Sequence, residues 1–102
     1  MRIDVVGRNL DITDPIRERA ESKANKLTQF FDGVQQVTVT ITADDRHTRG
    51  MYQVEFLVDV TRHDDFVSHA SGEDVYATID QAEQKLARQL TDFKEKLRVH
   101  KR

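Results

Sequence analysis

The sequence predicts an α+β two-layer sandwich from three observations. Apolar and polar residues alternate through the middle of the chain, two other segments repeat apolar residues every three to four positions, and these patterns occur in the order β-α-β-β-β-α. Each helical segment has a single apolar face. One face of a four-stranded, mostly antiparallel sheet can cover both, so two helices are expected side by side on one side of the sheet. At 102 residues there is room for one domain and not two, and with Pro15 as the only proline nothing marks a linker, so residues 1–102 are read as one unit.

Ile3 and Val5 alternate with Arg2 and Asp4, a short first strand ending near Gly7. Thr13 or Asp14 can accept from the free N–H groups of a helix, and Pro15 suits its first turn. Ile16, Ala20, Ala24, Leu27 and Phe31 then form one apolar face, which predicts a helix over about 14–31 with a left-handed stop at Asp32-Gly33. Val37, Val39, Ile41 and Ala43 alternate with Thr38, Thr40 and Thr42, a strand with one buried and one wet face. The charged segment Asp44 to Gly50 reads as a hairpin loop, and alternation resumes from Tyr52 through Val54, Phe56, Val58 and Val60. His63-Asp64-Asp65 makes a second turn, and Phe66 to Ala70 a short fourth strand that Ser71-Gly72 ends. Val75, Ile79, Ala82, Leu86, Leu90, Phe93 and Leu97 mark a long amphipathic helix over about 72–98.

Composition narrows the function classes. Hydrophobic residues at 37% in regular periods exclude a disordered chain, although 33% charged residues make it polar. Without cysteine there is neither a disulfide framework nor a thiolate metal site, which fits a reducing cytoplasm. No apolar run approaches the roughly 20 residues a membrane span needs, so no membrane is expected as a partner. The net charge of −2 conceals a division: residues 85–102 hold seven Lys/Arg against two acids, and residues 1–84 nine against sixteen. A basic end on an acidic body can hold a polyanion locally.

Catalysis finds little support. His47 and His63 sit in turns beside Asp45 and Asp64, His69 lies on a strand and His100 near the C-terminal end, so no pair has the i, i+4 spacing of a helical zinc site. They read as loop and surface histidines. Asp44-Asp45 and Asp64-Asp65 read as turn formers, and no glycine-rich phosphate loop or Gly-x-Ser-x-Gly occurs. Neither an enzyme, nor a cofactor, nor a small-molecule substrate is expected.

The basic residues are better patterned. Arg19, Lys23 and Lys26 step along one flank of the first helix, and Lys85, Arg88 and Lys96 share a flank of the second. With the helices side by side, the two stripes could border one positive groove, the footprint of a nucleic-acid binder. Ordinary solvated faces with intrahelical ion pairs account for the same spacing, and Asp92, four residues from both Arg88 and Lys96, favours them. From spacing alone the two readings weigh equally. Without its first strand, the same element order also describes double-stranded-RNA-binding domains.

Two sets of motifs resemble the ribosome hibernation-promoting factors, the family also called protein Y or ribosome-associated inhibitor. One is Gly7-x-Asn9-x-x-Ile12-Thr13 with Ile16-Arg17-Glu18, Lys23-x-x-Lys26-Leu27 and Phe31-Asp32. The other is Asp74-x-Tyr76-Ala77-x-Ile79-Asp80 with Lys85-Leu86-Ala87-Arg88-Gln89-Leu90 and Lys94-x-Lys96. The resemblance implies a cytoplasmic translation inhibitor of the short form, active in stress and stationary phase. Such a protein occupies the mRNA and tRNA channel of the small ribosomal subunit and stabilises hibernating ribosomes. It implies rRNA contacts at Lys23, Lys26, Lys85, Arg88, Lys94 and Lys96, with Arg98 where the family often has lysine; Arg19 joins them from spacing alone. Asp92 stands where relatives frequently carry lysine. Long forms add a dimerisation domain, so here ribosome dimerisation would need a separate partner protein. A general structured-RNA-binding domain and a small protein-interaction module are the alternatives.

Overall fold

The structure, a computed structural model, describes residues 1–29, 32–44 and 51–100, with Asp44 and residues 98–100 described by their backbone only. Four strands, β1 (Arg2–Arg8), β2 (Val34–Asp44), β3 (Met51–Val60) and β4 (Phe66–Gly72), lie in the order β1-β2-β3-β4. Helix α1 (Asp14–Leu27) connects β1 to β2, and α2 (Val75–His100) follows β4. Because α1 carries the chain back along the sheet, β1 and β2 run parallel, whereas β2, β3 and β4 pair antiparallel. This is the β-α-β-β-β-α sandwich expected, with the β2–β3 connection at 45–50, and His47 within it, outside the described residues.

Alternation decides which face is covered. Val5, Val39, Phe56 and Ser68 are successive cross-strand partners, as are Gly7, Ile41, Val54 and Ala70, and these rows point at the helices. Val37, Val39, Ile41, Phe56 and Val58 are fully buried there with Leu27 of α1 and Ile79, Leu86 and Leu90 of α2. The opposite face carries Thr38, Thr40, Thr42, Gln53, Glu55 and His69 and has no covering layer among the described residues.

Local chemistry sets the helix ends. Thr13 caps α1 through Oγ1, which accepts from Ile16 N–H at 3.4 Å, with Pro15 in the first turn. The helix ends at Leu27 rather than continuing toward 31. Thr28, in the right-handed region, returns both its N–H and its hydroxyl to the Asn25 carbonyl, the competition a short hydroxyl side chain offers the helical ladder. Asp32 and Gly33 lie in a turn entering β2, and the expected place of Phe31 on the apolar face is outside the described residues. Helix α2 starts at Val75 and not at 72, because Gly72 is still paired with Tyr52 and Asp74 supplies the cap, its Oδ1 accepting from Tyr76 and Ala77 N–H. Gly72 also admits Thr78, whose Oγ1 lies 2.7 Å from where a Cβ would stand.

Helix α2 outlasts the sheet beneath it. Its 26 residues rise about 39 Å at 1.5 Å each, against roughly 23 Å for the seven residues of β4. The apolar stripe read from the sequence is therefore core only as far as Leu90; Phe93 is half-buried and Leu97 is 38% exposed.

Candidate nucleic-acid interface

The two basic stripes have different surroundings. The α1 stripe faces α2. Arg19 donates through one guanidinium nitrogen to both carboxylate oxygens of Asp80, at 2.8 and 3.0 Å, and lies 5.4 Å from the centre of the Tyr76 ring. Lys23 Nζ is 3.8 Å from the same carboxylate. Glu83, one turn further along α2, is 2% exposed, and burial raises its carboxyl pKa above the ordinary 4.5 while Lys26 and Lys23 pull it down. Three cations thus meet two acids along the helix–helix seam, Arg19 and Lys23 half-buried and Lys26 exposed.

The α2 stripe begins on the other flank, over the outer strand. Lys85 Nζ donates to the His69 carbonyl and Gln89 Nε2 to the Val67 carbonyl, both at 2.8 Å. Two carbonyls of edge strand β4 are thereby satisfied by α2 side chains, which blocks that edge from pairing with another strand. Arg88 lies two residues from both Leu86 and Leu90, which turns it away from the core, and with Gln81, Gln84, Lys85, Gln89 and Asp92 it lines an open depression of ≈ 370 Å³. Lys94 and Lys96 are exposed where α2 overhangs the sheet, and Arg98 lies in the same helix with its side chain outside the described residues.

The stripes therefore do not border one groove. Helix α2 covers β3 and β4 with its apolar face, so one flank adjoins α1 and receives Asp80 and Glu83, and the other adjoins the β4 edge and receives Lys85 and Gln89. Nor are the pairs intrahelical: Arg19 and Lys23 pair across helices, and Asp92 forms no ion pair among the described residues. Asp80 and Glu83 had no visible role in the sequence. Their spacing of three on α2 answers that of Lys23 and Lys26 on α1, a signal usable only once the helices are known to be neighbours.

Two histidines also have definite settings. His69 Nε2 is 3.0 Å from Glu55 Oε2 on the open sheet face, and the His63 ring packs with Phe66 and Phe93. No group of three His, Cys, Asp or Glu is placed to hold a metal ion among the described residues, and none of their helices is long and apolar enough to cross a membrane.

A small two-layer domain whose helix layer displays cations, with Arg19, Lys23 and Lys85 held by its own acids and carbonyls, defines a class of compact binding proteins. Comparison with known proteins narrows it. The chain belongs to the family described as Sigma 54 modulation protein / S30EA ribosomal protein, whose model matches residues 3–98. It is 37% identical over 103 residues to the ribosome hibernation promoting factor of Escherichia coli (strain K12), covering 98% of this chain and all of that relative. The ribosome hibernation promoting factor of Azotobacter vinelandii is 33% identical over 94% of this chain and 85% of its own length. Among solved structures, the N-terminal domain of Thermus thermophilus Protein Y superposes with a TM-score of 0.78 at 31% identity, covering 91% of this chain and 99% of that one.

Proposed function

We propose that the chain is a ribosome-binding translation inhibitor that occupies the mRNA and tRNA channel of the small ribosomal subunit and stabilises hibernating ribosomes in the cytoplasm. Family membership and the names of its relatives support the ribosome as partner. The observation that carries the mode of binding is the group of patterned helix cations outside any direct ion pair: Lys26, Arg88, Lys94 and Lys96 are exposed and, among the described residues, form no salt bridge, Lys26 acting on Glu83 only at longer range. Free surface cations are what rRNA phosphates would neutralise, and the folded domain does the rest by filling space that mRNA and tRNA need.

The geometry sharpens the salt dependence. Counting all seven of Arg19, Lys23, Lys26, Lys85, Arg88, Lys94 and Lys96 would give seven phosphate contacts, but Arg19, Lys23 and Lys85 already have partners. Four free cations correspond to log K falling by about 3 per log unit of salt, at roughly 0.7–0.9 per phosphate. Co-sedimentation with small subunits across a salt series, with and without competing duplex RNA, tests this. Saturable binding with that slope, not displaced by duplex RNA, is expected. A flat salt profile sinks the reading, and equal binding to free duplex replaces it with a general structured-RNA-binding domain.

A further inference from the structure

The β3–β4 turn carries an aromatic cluster that no phosphate contact uses. The His63 ring lies parallel to that of Phe66, 4° between planes and 4.7 Å between centres, and Phe93 of α2 leans against both at 4.4 and 5.4 Å. His63 is nonetheless exposed. Its Nδ1 lies 2.6 Å from the Asp64 carbonyl, and because a carbonyl can only accept, Nδ1 carries the proton and donates. In the neutral ring Nε2 is then an acceptor. The imidazole is held by two rings and one hydrogen bond while still open to solvent.

Position gives this cluster a context. Phe93 stands four residues after Gln89 and three before Lys96, so the cluster lies one helical turn from a free cation on the overhanging part of α2. We propose that the His63–Phe66–Phe93 cluster is a stacking site for one unpaired nucleobase of the small-subunit rRNA, a proposal that rests on the rRNA-binding reading above. An oriented aromatic face beside cations is how proteins take unpaired bases, stacking the ring and leaving the phosphate to the basic side chains. Asp64 and Asp65 in the turn, with Asp92 one residue before Phe93, repel a phosphate from this spot and are compatible with a base. Phe66 and Phe93 already join the turn to α2, and His63 adds to them a ring that solvent reaches.

The test compares wild type, His63→Ala and His63→Phe for affinity to small ribosomal subunits over a salt series, with thermal melts to confirm that each variant folds. Stacking is worth about 5-fold or more per base on truncation to alanine. His63→Ala is therefore expected to bind at least about 5-fold more weakly with an unchanged salt slope, because no phosphate contact is lost, and His63→Phe to retain wild-type affinity. Ultraviolet cross-linking is expected to join residues 61–66 to rRNA; a cross-link to a ribosomal protein instead overturns the proposal. Equal affinity of wild type and His63→Ala, a salt slope that falls with the substitution, or loss in His63→Phe as large as in His63→Ala each overturns the stacking site and leaves the rRNA reading in place. Failure of the wild type to bind small subunits removes both.

Discussion

Helix α1 and the overhanging part of α2 carry similar numbers of cations and use them differently. On α1, Arg19 and Lys23 are turned into the seam and meet Asp80, and Lys26 lies within electrostatic reach of buried Glu83. Beyond Leu90, Lys94 and Lys96 project from a helix that has outrun its sheet and face water. A cation beside a second helix is enlisted by that helix's acids, whereas a cation past the end of the sheet has no protein neighbour to recruit it. Basic residues at helical spacing are therefore a weak guide to a polyanion site until the packing partner of each flank is known.

The largest expected effect separates these regions directly. Reversing Lys94 and Lys96 together to glutamate removes two free phosphate partners and adds two repulsions, so small-subunit affinity should fall by at least about 100-fold, roughly 2.7 kcal/mol, and the salt slope by about two. Arg19→Ala, measured alongside, should weaken binding by less than about threefold because its guanidinium is already committed to Asp80. Equal losses in the two variants would erase the distinction between seam and overhang.

Asp92→Lys should act in the opposite direction. It converts the one acid lining the Arg88 depression into another free cation, steepening the salt slope by about one and raising affinity several-fold at low salt. An unchanged slope in the co-sedimentation series would show that this part of α2 faces away from rRNA.

Glu83 sharpens the comparison through pH. Burial raises its folded-state pKa above the unfolded value, so between the two the native state binds more protons and stability falls as pH rises through that window. Glu83→Gln cannot ionise. The melting temperature of wild type relative to this variant should therefore be highest below about pH 4.5 and decline as pH rises through the folded-state pKa, with Lys26 and Lys23 limiting the decline. A constant difference across that range would mean the seam lysines cancel the cost of burying the carboxylate.

The smallest effect belongs to the seam pair itself. Asp80→Ala removes the partner of Arg19 and Lys23, yet Arg19 is 41% exposed and water screens the pair, so denaturant titration should show a loss of only about 0.5–1 kcal/mol. The salt slope for subunit binding should increase by one to two as both cations become available. A loss of several kcal/mol would make the pair a main support of helix packing.

Much of this was legible in the chain. Alternation at Val37–Ile41 and Val54–Val60 identified the buried face of β2 and β3, because a pleated strand has only two faces and one here is apolar. Periodicity identified both helices and their core residues as far as Leu90. Their ends were less legible: α1 stops at Thr28, whose hydroxyl competes for a helical carbonyl, and α2 starts after Asp74 because Gly72 remains paired in the sheet. The cation stripes were visible as spacing, but their availability was not. Lys85 gave no sign of donating to the His69 carbonyl, since that acceptor lies on a different strand and belongs to the backbone, and the His63–Phe66–Phe93 cluster joins a turn to a helix nearly thirty residues away.

The sequence by itself determined the element order, the face each element buries and the family, since local periodicity and short motifs are properties of neighbours along the chain. Tertiary structure alone decided which flank of α2 meets α1, which carbonyls of β4 are capped, how far α2 overhangs and hence which cations are free. Those outcomes depend on distances between segments far apart in the chain, where a few ångströms separate an ion pair from a solvated charge and no pattern in one segment records the position of the other.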